Sequence, residues 1–587
     1  MKKIKIFLAK YEWWILGLLA LSSFIGGVIG FDIHFRSTGR ILSLLDLMYL
    51  ALQLFTFESG SVHGYVPVIL EISRFLAPLL LTFAAIKTFL TIASERIKMF
   101  KLKTMKNHII ICSLNERSIR LTRDLINLHK KIVIIEENAD NPEIEALKNN
   151  GVFVLIGNLT DVTLLEKANV AKAKYLICFS TNDSVNISIA LSAYNWIREH
   201  KIYSSCVSFI GVSDIRMLSK LKDLDFFIDV ERNKISDTEQ IQKYEIRTFN
   251  IYERAARLIF NRFSPDIFSR IHTEQDEQAH VLIVGFNQLC EGLIFQFART
   301  GHYANFKKTK ISLLVENANQ INKFIKEYSN LRTLIDLNTV TSDYEHFNLN
   351  TLSELETPIK ITTIYICIDD EQECLSFIHH IKSLLSDSNK NMVICLSSGK
   401  SIINLIPESQ EKNKMQVFKF PILEETCTYD SIINETIDEM AKVIHSDYLD
   451  KLGENRNPAR ESHKEWDLLS DEMKNQNRNQ AEHIFIKLRA INCVTKPIGT
   501  SESKYEIEKD SIAIEKLAKM EHNRWSSEMI FNGWIYGSGR DNKKKTNPDL
   551  VPYEKLPEDI KQLDRNVVIN IPNLLKKMKL EICKLEK

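Results

Sequence analysis

Six consecutive residues, Thr56-Phe57-Glu58-Ser59-Gly60-Ser61, place a carboxylate among hydroxyls directly after an apolar stretch, Ile41 to Phe55. That stretch is helical in pattern but too short to cross a bilayer, which takes ~20 helical residues. Irregular chain at membrane depth is tolerated only where protein buries it or where it lines a water-filled path. In such a path a ring of Glu58 carboxylates attracts cations and repels anions. The bland alternative is a solvated loop acid outside the membrane.

The elements around this stretch favour the path. Trp13 to Phe31 is nineteen residues without a charge, and Tyr65 to Ala93 is a second long apolar run. Lys2, Lys3, Lys5 and Lys10 flank the first run; Arg96, Lys98, Lys101, Lys103 and Lys106 flank the second. Basic flanks stay in the cytoplasm, so both termini are expected inside a multi-pass protein of the plasma (inner) membrane. A signal peptide is the competing reading of the first run, but no A-x-A-like cleavage site follows and more apolar sequence does. Span, half-helix, loop, span is the plan of a tetrameric pore. The pore module is therefore read as residues 1–95, with spans at about 13–31 and 65–93, a pore helix at 41–55 and a filter at 56–61. Glu71 and Arg74, three apart, can pair on one helix face. Lys87 is expected to snorkel.

The topology resembles two-helix potassium channels, although T-V-G-Y-G is missing. The loop resembles instead the T-L-E-S-W-S filter of bacterial voltage-gated sodium channels, matched by Thr56, Glu58, Ser59 and Ser61 and departing at Phe57 and Gly60. The resemblance implies a cation filter at Thr56, Phe57, Glu58, Ser59 and Gly60, passing sodium or a mixture of monovalent and divalent cations. A potassium channel with an atypical filter is the nearest alternative.

The chain has 587 residues, room for about four domains. A net charge of +1 gives no global basic field for nucleic acid. Ten scattered cysteines without a C-x-x-C pair argue against a zinc site or a disulfide framework. After a basic linker at 96–106 the pattern becomes βαβ. Strand-like runs at His108–Cys112, Lys131–Asn138, Val152–Ile156 and Tyr175–Phe179 are followed from His280 by a second series: His280–Gly285, Ile311–Glu316, Ile364–Ile368 and Met392–Leu396. The expected fold class is a two-span helical pore module, two α/β Rossmann-like domains (107–250 and a divergent 251–445), a helical connector (446–510) and a mainly helical C-terminal domain (511–587).

A G-x-G-x-x-G turn would admit a pyrophosphate to a helix N-terminus. Its places read Ser113, Asn115 and Ser118 in the first copy, and Gly285, Asn287 and Cys290 in the second. Glu136 and Glu316 stand where a ribose-binding acid belongs, yet each also fits a polar strand end. Ser113, Asn115, Glu136, Gly285, Asn287 and Glu316 are therefore candidate cleft residues from which most phosphate-cradling glycines are missing. The first copy resembles RCK (TrkA-N-like) domains through Ile109–Cys112, Glu136, Gly157-Asn158, Asp161, Leu164–Ala168, Ala171–Cys178 and Asn182-Asp183. The second copy resembles them more distantly. The resemblance implies a cytosolic ring that converts ligand binding into pull on the inner helices. No catalytic set is read, and an enzyme is not expected.

The densest motif lies at the C-terminus. Glu521-His522-Asn523-Arg524-Trp525 precedes Gly533-Trp534-Ile535-Tyr536-Gly537, then Arg540, Lys543, Asn547-Pro548-Asp549-Leu550-Val551-Pro552-Tyr553 and Asp564-Arg565-Asn566. Aromatic faces stack bases, and Arg or Lys holds phosphate. The competing reading makes Trp525 and Trp534 core anchors. The motifs resemble the RyR domain of ryanodine receptors. That resemblance implies a sensor of nucleotide-derived signals, in some prokaryotic settings antiviral, with His522, Arg524, Trp525, Trp534, Tyr536, Arg540, Lys543 and Tyr553 as ligand-binding residues. The whole chain is then expected to be a ligand-gated cation channel, a homotetramer in the bilayer whose partners are permeant cations and a small anionic messenger. No metal and no certain cofactor are expected. A membrane-anchored nucleotide-binding regulatory subunit without a pore is the remaining alternative.

Overall fold

Both long apolar runs fold as helices, because the backbone groups of a membrane-length segment must satisfy one another. The structure, a computed structural model, describes residues 2–58, 62, 64–200, 202, 204–214, 217, 244–385, 388–397, 405–409, 414–457, 459–500 and 503–585. It divides into two units, 1–105 and 106–587.

In the first unit, α1 (Lys2–Ser37) and α3 (Val68–Thr104) contain the membrane-length stretches Trp13–Ser37 and Val68–Leu90. Between them α2 (Leu44–Gln53) runs into a 3-10 turn, Leu54–Thr56. Ser43 caps α2 by accepting the Asp46 N–H at 3.2 Å. Phe31, Leu47, Leu54, Leu70 and Ala77 form the shared core. Three glycines of α1 set the closeness of the packing. A Cβ on Gly30 would lie 2.6–2.9 Å from the Cβ, Cα and N of Leu70, and one on Gly27 would touch Ala51 and Leu54 at 3.1–3.2 Å. The linker expected at 96–106 is not a separate segment. Neither Gly nor Pro interrupts 79–104, so α3 continues through the basic stretch to Thr104, four residues short of β1.

The second unit holds two parallel sheets. β1 (Ile109–Cys112), β2 (Ile132–Glu136), β3 (Phe153–Ile156), β4 (Tyr175–Cys178), β5 (Val207–Gly211) and β6 (Glu245–Phe249) lie in the order β3-β2-β1-β4-β5-β6. β7 (His280–Val284), β8 (Lys310–Val315), β9 (Asp336–Thr341), β10 (Thr363–Ile366), β11 (Asn391–Leu396) and β12 (Gln416–Pro421) repeat it as β9-β8-β7-β10-β11-β12. This is the doubly wound Rossmann order. The inner strands are buried on both faces, which is why they read as unbroken apolar runs.

The two copies exchange elements. Helix Ile251–Phe263, which follows β6, packs on helix Gln288–Thr300 of the second copy, with Phe260 edge-on to Phe297 at 5.1 Å. In return, the segment after β12 sends Leu423, Cys427, Ile432 and Ile433 into the first core. There the Tyr429 N–H donates to the Asp124 carboxylate at 2.8 Å. Neither copy closes its core alone.

The C-terminal region comprises helix Glu439–Leu452, a connector helix (Asp471–Ala490), β13 (Cys493–Pro497), a long helix (Ser511–Phe531), β14 (Ile535–Tyr536), β15 (Thr546–Asn547), helix Glu558–Ile569 and β16 (Leu580–Lys584). The sequence pattern predicts a helix pair across 466–488. The structure instead forms a 3-10 turn at Trp466–Leu468 and one helix restarted by the Ser470 cap. β13 pairs antiparallel with β16, so the C-terminal module begins near 493 and not at 511. It shares a continuous apolar core with the second Rossmann copy, and Phe531 meets Phe295 edge-on at 5.2 Å.

Burial in this unit has a pH consequence. It pushes the His280 and His302 imidazoles down to about 4, against the ordinary 6.5. The unfolded chain therefore takes up protons near pH 6.5 that the folded chain refuses until about 4. Stability is expected to fall as pH drops through that window, by at most about 1.4 kcal/mol per pH unit for each proton. Melting temperatures at pH 7.5, 6 and 5 check this. A flat profile would mean that both rings are solvated.

Candidate functional site

At the pore loop the chain leaves α2 through an abrupt turn. Phe57 has φ of +67°, a costly conformation for a bulky residue. The N–H of Glu58 donates back to the Gln53 carbonyl at 3.1 Å, and the Thr56 hydroxyl donates to the same carbonyl at 2.9 Å. The turn leaves Phe57 and Glu58 exposed. Ser59 and Gly60 lie outside the described residues. His34, buried at the end of α1, contacts the Tyr65 carbonyl through Nδ1 at 2.8 Å and ties down the far side of the loop. Glu71 and Arg74 pair at 2.8 Å, and Lys87 rests 5.3 Å from the Trp13 ring centroid.

In the Rossmann clefts the side chains fill the phosphate place themselves. The Asn115 amide oxygen accepts the N–H groups of Arg117 and Ser118, and the Ser118 hydroxyl accepts the Asn115 N–H. Asn287 caps the second copy in the same way, through Leu289 and Cys290. These are the donors a pyrophosphate would use. Ser113 sits at φ +81° and accommodates the turn. Gly285, at φ +95°, is required, because a Cβ there would lie 2.5 Å from the Cys367 carbonyl oxygen. Glu136 is buried and accepts the N–H groups of Leu114 and Asn138, so its carboxylate holds the turn. Glu316 is exposed at the end of β8.

A cleft of about 400 Å³ lies between the connector and the C-terminal module of the second unit. That volume falls within the ~300–1,000 Å³ of small-molecule sites. Three helix faces converge on it at i, i+3, i+4, i+7 spacing: Met473, Gln476, Asn477 and Gln480; Glu521, Arg524, Trp525 and Glu528; Ile560, Leu563, Asp564 and Val567. Helix 439–452 adds His445 and Tyr448. Of the residues predicted from sequence, His522, Arg524, Trp525 and Arg540 line the cleft. Trp534, Tyr536, Lys543 and Tyr553 do not. Trp534 is buried beneath the Arg540 guanidinium at 5.7 Å, which is the core-anchor alternative. Tyr553 is buried against His522 at 5.9 Å, while Tyr536 and Lys543 face solvent.

Charge under the cleft is organised by ion pairs. Glu521 accepts from Lys487 at 2.5 Å and from Arg524 at 2.7 Å. Burial alone would raise its carboxyl, but Arg524 and Lys487 overcome this and hold it well below the usual range. Burial pushes the Asp564 carboxyl up, partly offset by His522 Nδ1 at 3.4 Å. The opposite side of the connector helix carries Arg478 and Glu482. Glu482 pairs with Arg257 of helix 251–263 at 2.5 Å, and Asp438 accepts from Arg257 at 2.9 Å and from Arg478 at 2.5 Å. One helix thus faces the cleft with its amides and, with its charges, grips helix 251–263, which leads from β6 of the first copy onto the core of the second. Sequence reading missed the connector's share of the cleft. The signal was present in the polar stripe Gln476, Asn477, Gln480, but a polar face reads equally as a solvated one.

Family models match residues 109–208 as a TrkA-N domain and residues 494–584 as an RyR domain. The RyR match begins at the strand β13 found above. An uncharacterized protein of Methanothermus fervidus is 30% identical over 93 residues, 16% of this chain and 15% of that protein. Potassium channel protein 1 of Methanocaldococcus jannaschii is 30% identical over 95 residues, 16% of this chain and 28% of that protein. The chain therefore spans about a seventh to a quarter of the length of these curated relatives. A solved GsuK channel structure covers 72% of this chain and 95% of its own at 14% identity, with a TM-score of 0.39. Behind two helices long and apolar enough to cross a membrane, this chain carries a TrkA-N domain, a second sheet of the same Rossmann order and an RyR domain.

Proposed function

We propose that the chain is the subunit of a ligand-gated cation channel: a homotetramer of the plasma membrane, termini inside, whose gate answers a nucleotide-derived messenger. The carrying observation is the seating of α2 between α1 and α3, with Glu58 exposed on the loop after it. In a fourfold assembly that loop is a ring of four carboxylates. The 400 Å³ cleft provides the messenger site. The ion pairs of Arg257, Asp438, Arg478 and Glu482 provide the link to the first Rossmann copy, from which α3 is four residues away in sequence. A ligand moves such an equilibrium only by preferring one of its states. Here it would do so by changing the distance between the connector helix and helix 511–531. The self-capped clefts at Asn115 and Asn287 favour a structural role for the Rossmann copies over dinucleotide chemistry. The TrkA-N match and a relative named as a potassium channel keep potassium among the candidate ions.

The experiment is recording in planar bilayers under sodium, potassium and calcium gradients during a screen of nucleotide messengers. Glu58→Gln is expected to reduce cation conductance and alter the reversal potentials while the assembly stays intact. Each carboxylate removed takes away about 1 kcal/mol of attraction for a cation 4 Å away, even at the dielectric of water. Unchanged current ratios in that variant would reject the filter assignment.

A further inference from the structure

The groups that line the C-terminal cleft differ in whether they already have partners. Arg524 commits Nε and Nη2 to Glu521. The Glu528 carboxylate accepts from Asn479 and Asn532. Asn477 donates to the Met473 carbonyl at 2.9 Å. Among the described residues, the side chains of Gln476, Gln480 and Asp549 have no protein partner, and Arg540, exposed at the margin, has no acid partner. The groups without a charged or hydrogen-bonded side-chain partner therefore include two amides, one carboxylate and the Tyr448 and Ser462 hydroxyls, beside the half-buried ring of Trp525, with the Arg540 guanidinium, lacking an acid partner, at the margin. Four carboxylates (Glu521, Glu528, Asp549 and Asp564) line the cleft against two guanidiniums.

A purely anionic ligand fits this set poorly. A phosphate deep in the cleft would face four carboxylates, which repel it, and the uncommitted donors left to it there, the amide N–H groups of Gln476 and Gln480 and the hydroxyls of Tyr448 and Ser462, are neutral. A nucleoside fits it well. Its hydroxyls and exocyclic amine donate to Asp549 and to the amide oxygens of Gln476 and Gln480, and its base has a face to lay on Trp525. Arg540, a cation without an acid partner, lies at the margin where a phosphate tail would emerge.

Resting on the reading of this cleft as the messenger site, we infer that it recognises a nucleoside 5′-phosphate by its sugar and base, with Asp549, Gln476 and Gln480 as specificity-determining residues and Arg540 as the contact for the phosphate at the mouth.

The probes are the four common nucleoside diphosphates, their parent nucleosides and inorganic pyrophosphate, which divide the ligand into its parts. Binding to the full-length protein in detergent is followed by calorimetry and by tryptophan fluorescence. At least one nucleoside diphosphate is expected to bind, its parent nucleoside is expected to bind more weakly, and pyrophosphate is expected to bind far more weakly than either. Asp549→Asn should weaken nucleoside and diphosphate alike, by about tenfold for the loss of a hydrogen bond to a charged group. Arg540→Ala should weaken the diphosphate and leave the nucleoside unchanged. Neither side chain has a partner of opposite charge, and because Arg540 also covers the buried Trp534 ring, Arg540→Lys, which keeps a cation and its stem there, is measured beside Arg540→Ala, with melting temperatures checking the fold of each variant. Pyrophosphate binding as tightly as the diphosphate, or Asp549→Asn leaving both affinities intact, would overturn the inference while the cleft stands. Binding that survives unchanged in Gln480→Trp, which fills the cleft, would reject the cleft itself, as would no binding by any probe.

Discussion

Replacing Asp438 by alanine is expected to destabilise the large unit by about 3–5 kcal/mol, the usual cost of stranding buried charges. Asp438 is 1% exposed and accepts from both Arg257 and Arg478. Burial alone would raise its carboxyl, but Arg478 and Arg257 overcome that and hold it well below the usual range. Its removal leaves two guanidiniums in the interior, with Glu482, which accepts from Arg257, and the Asn475 amide oxygen, which accepts from Arg478, as the remaining partners. Because its folded pKa is depressed, the stability it contributes is complete above about pH 4 and is lost as pH falls through the lower folded value. The wild-type chain should therefore lose stability steeply below pH 4, and Asp438→Ala should lose less there because part of that loss is already incurred. Denaturant unfolding of both proteins at pH 7 and pH 3.5 measures this. Equal midpoints at pH 7 would mean that the pairs are solvated and couple nothing. In bilayers the same variant should show a smaller messenger-induced change in open probability, since the grip of the connector helix on helix 251–263 is loosened.

The second large effect is expected at Gly30. A leucine there must displace the Leu70 backbone, because even a Cβ would lie 2.8–2.9 Å from its Cα and N. Overpacking of a close contact costs about 1–3 kcal/mol when side chains can yield, and backbone yields less. Separating α1 from α3 also removes the bed on which α2 lies, so Gly30→Leu should abolish cation current and broaden the assembly on size exclusion in detergent. Gly17→Leu is the control, since a Cβ at Gly17 meets nothing within 4 Å. Current of wild-type size through Gly30→Leu would show that the helices are not this close in the assembled protein.

The sequence by itself determined the elements whose signals are local. Nineteen uncharged residues specify a membrane-length helix, because hydrocarbon offers no partner for backbone groups. Unbroken apolar runs between helical segments specify parallel strands buried on both faces, and their repetition specifies two sheets of one order. Local motifs likewise identified the RyR segment, although its first strand escaped notice: Cys493–Pro497 declares itself only by pairing with Leu580–Lys584, more than eighty residues away.

Tertiary structure decided what depends on contacts between distant segments. The exchange of elements between the Rossmann copies and the core shared by Phe295 and Phe531 follow no sequence spacing. The same holds for the site. Trp525 and Trp534 are alike in sequence, yet one faces a cleft and the other lies buried beneath Arg540, because only packing decides which way an aromatic ring turns. Asn115 and Asn287 look like weak substitutes for glycine until their side chains are found on the helix N-termini, where they meet the demand that a phosphate would have met. Gln476, Gln480 and Asp549 are ordinary polar residues in the sequence. They become a recognition surface because the fold brings three helix faces together and leaves these groups, unlike Glu521 and Glu528, without a partner.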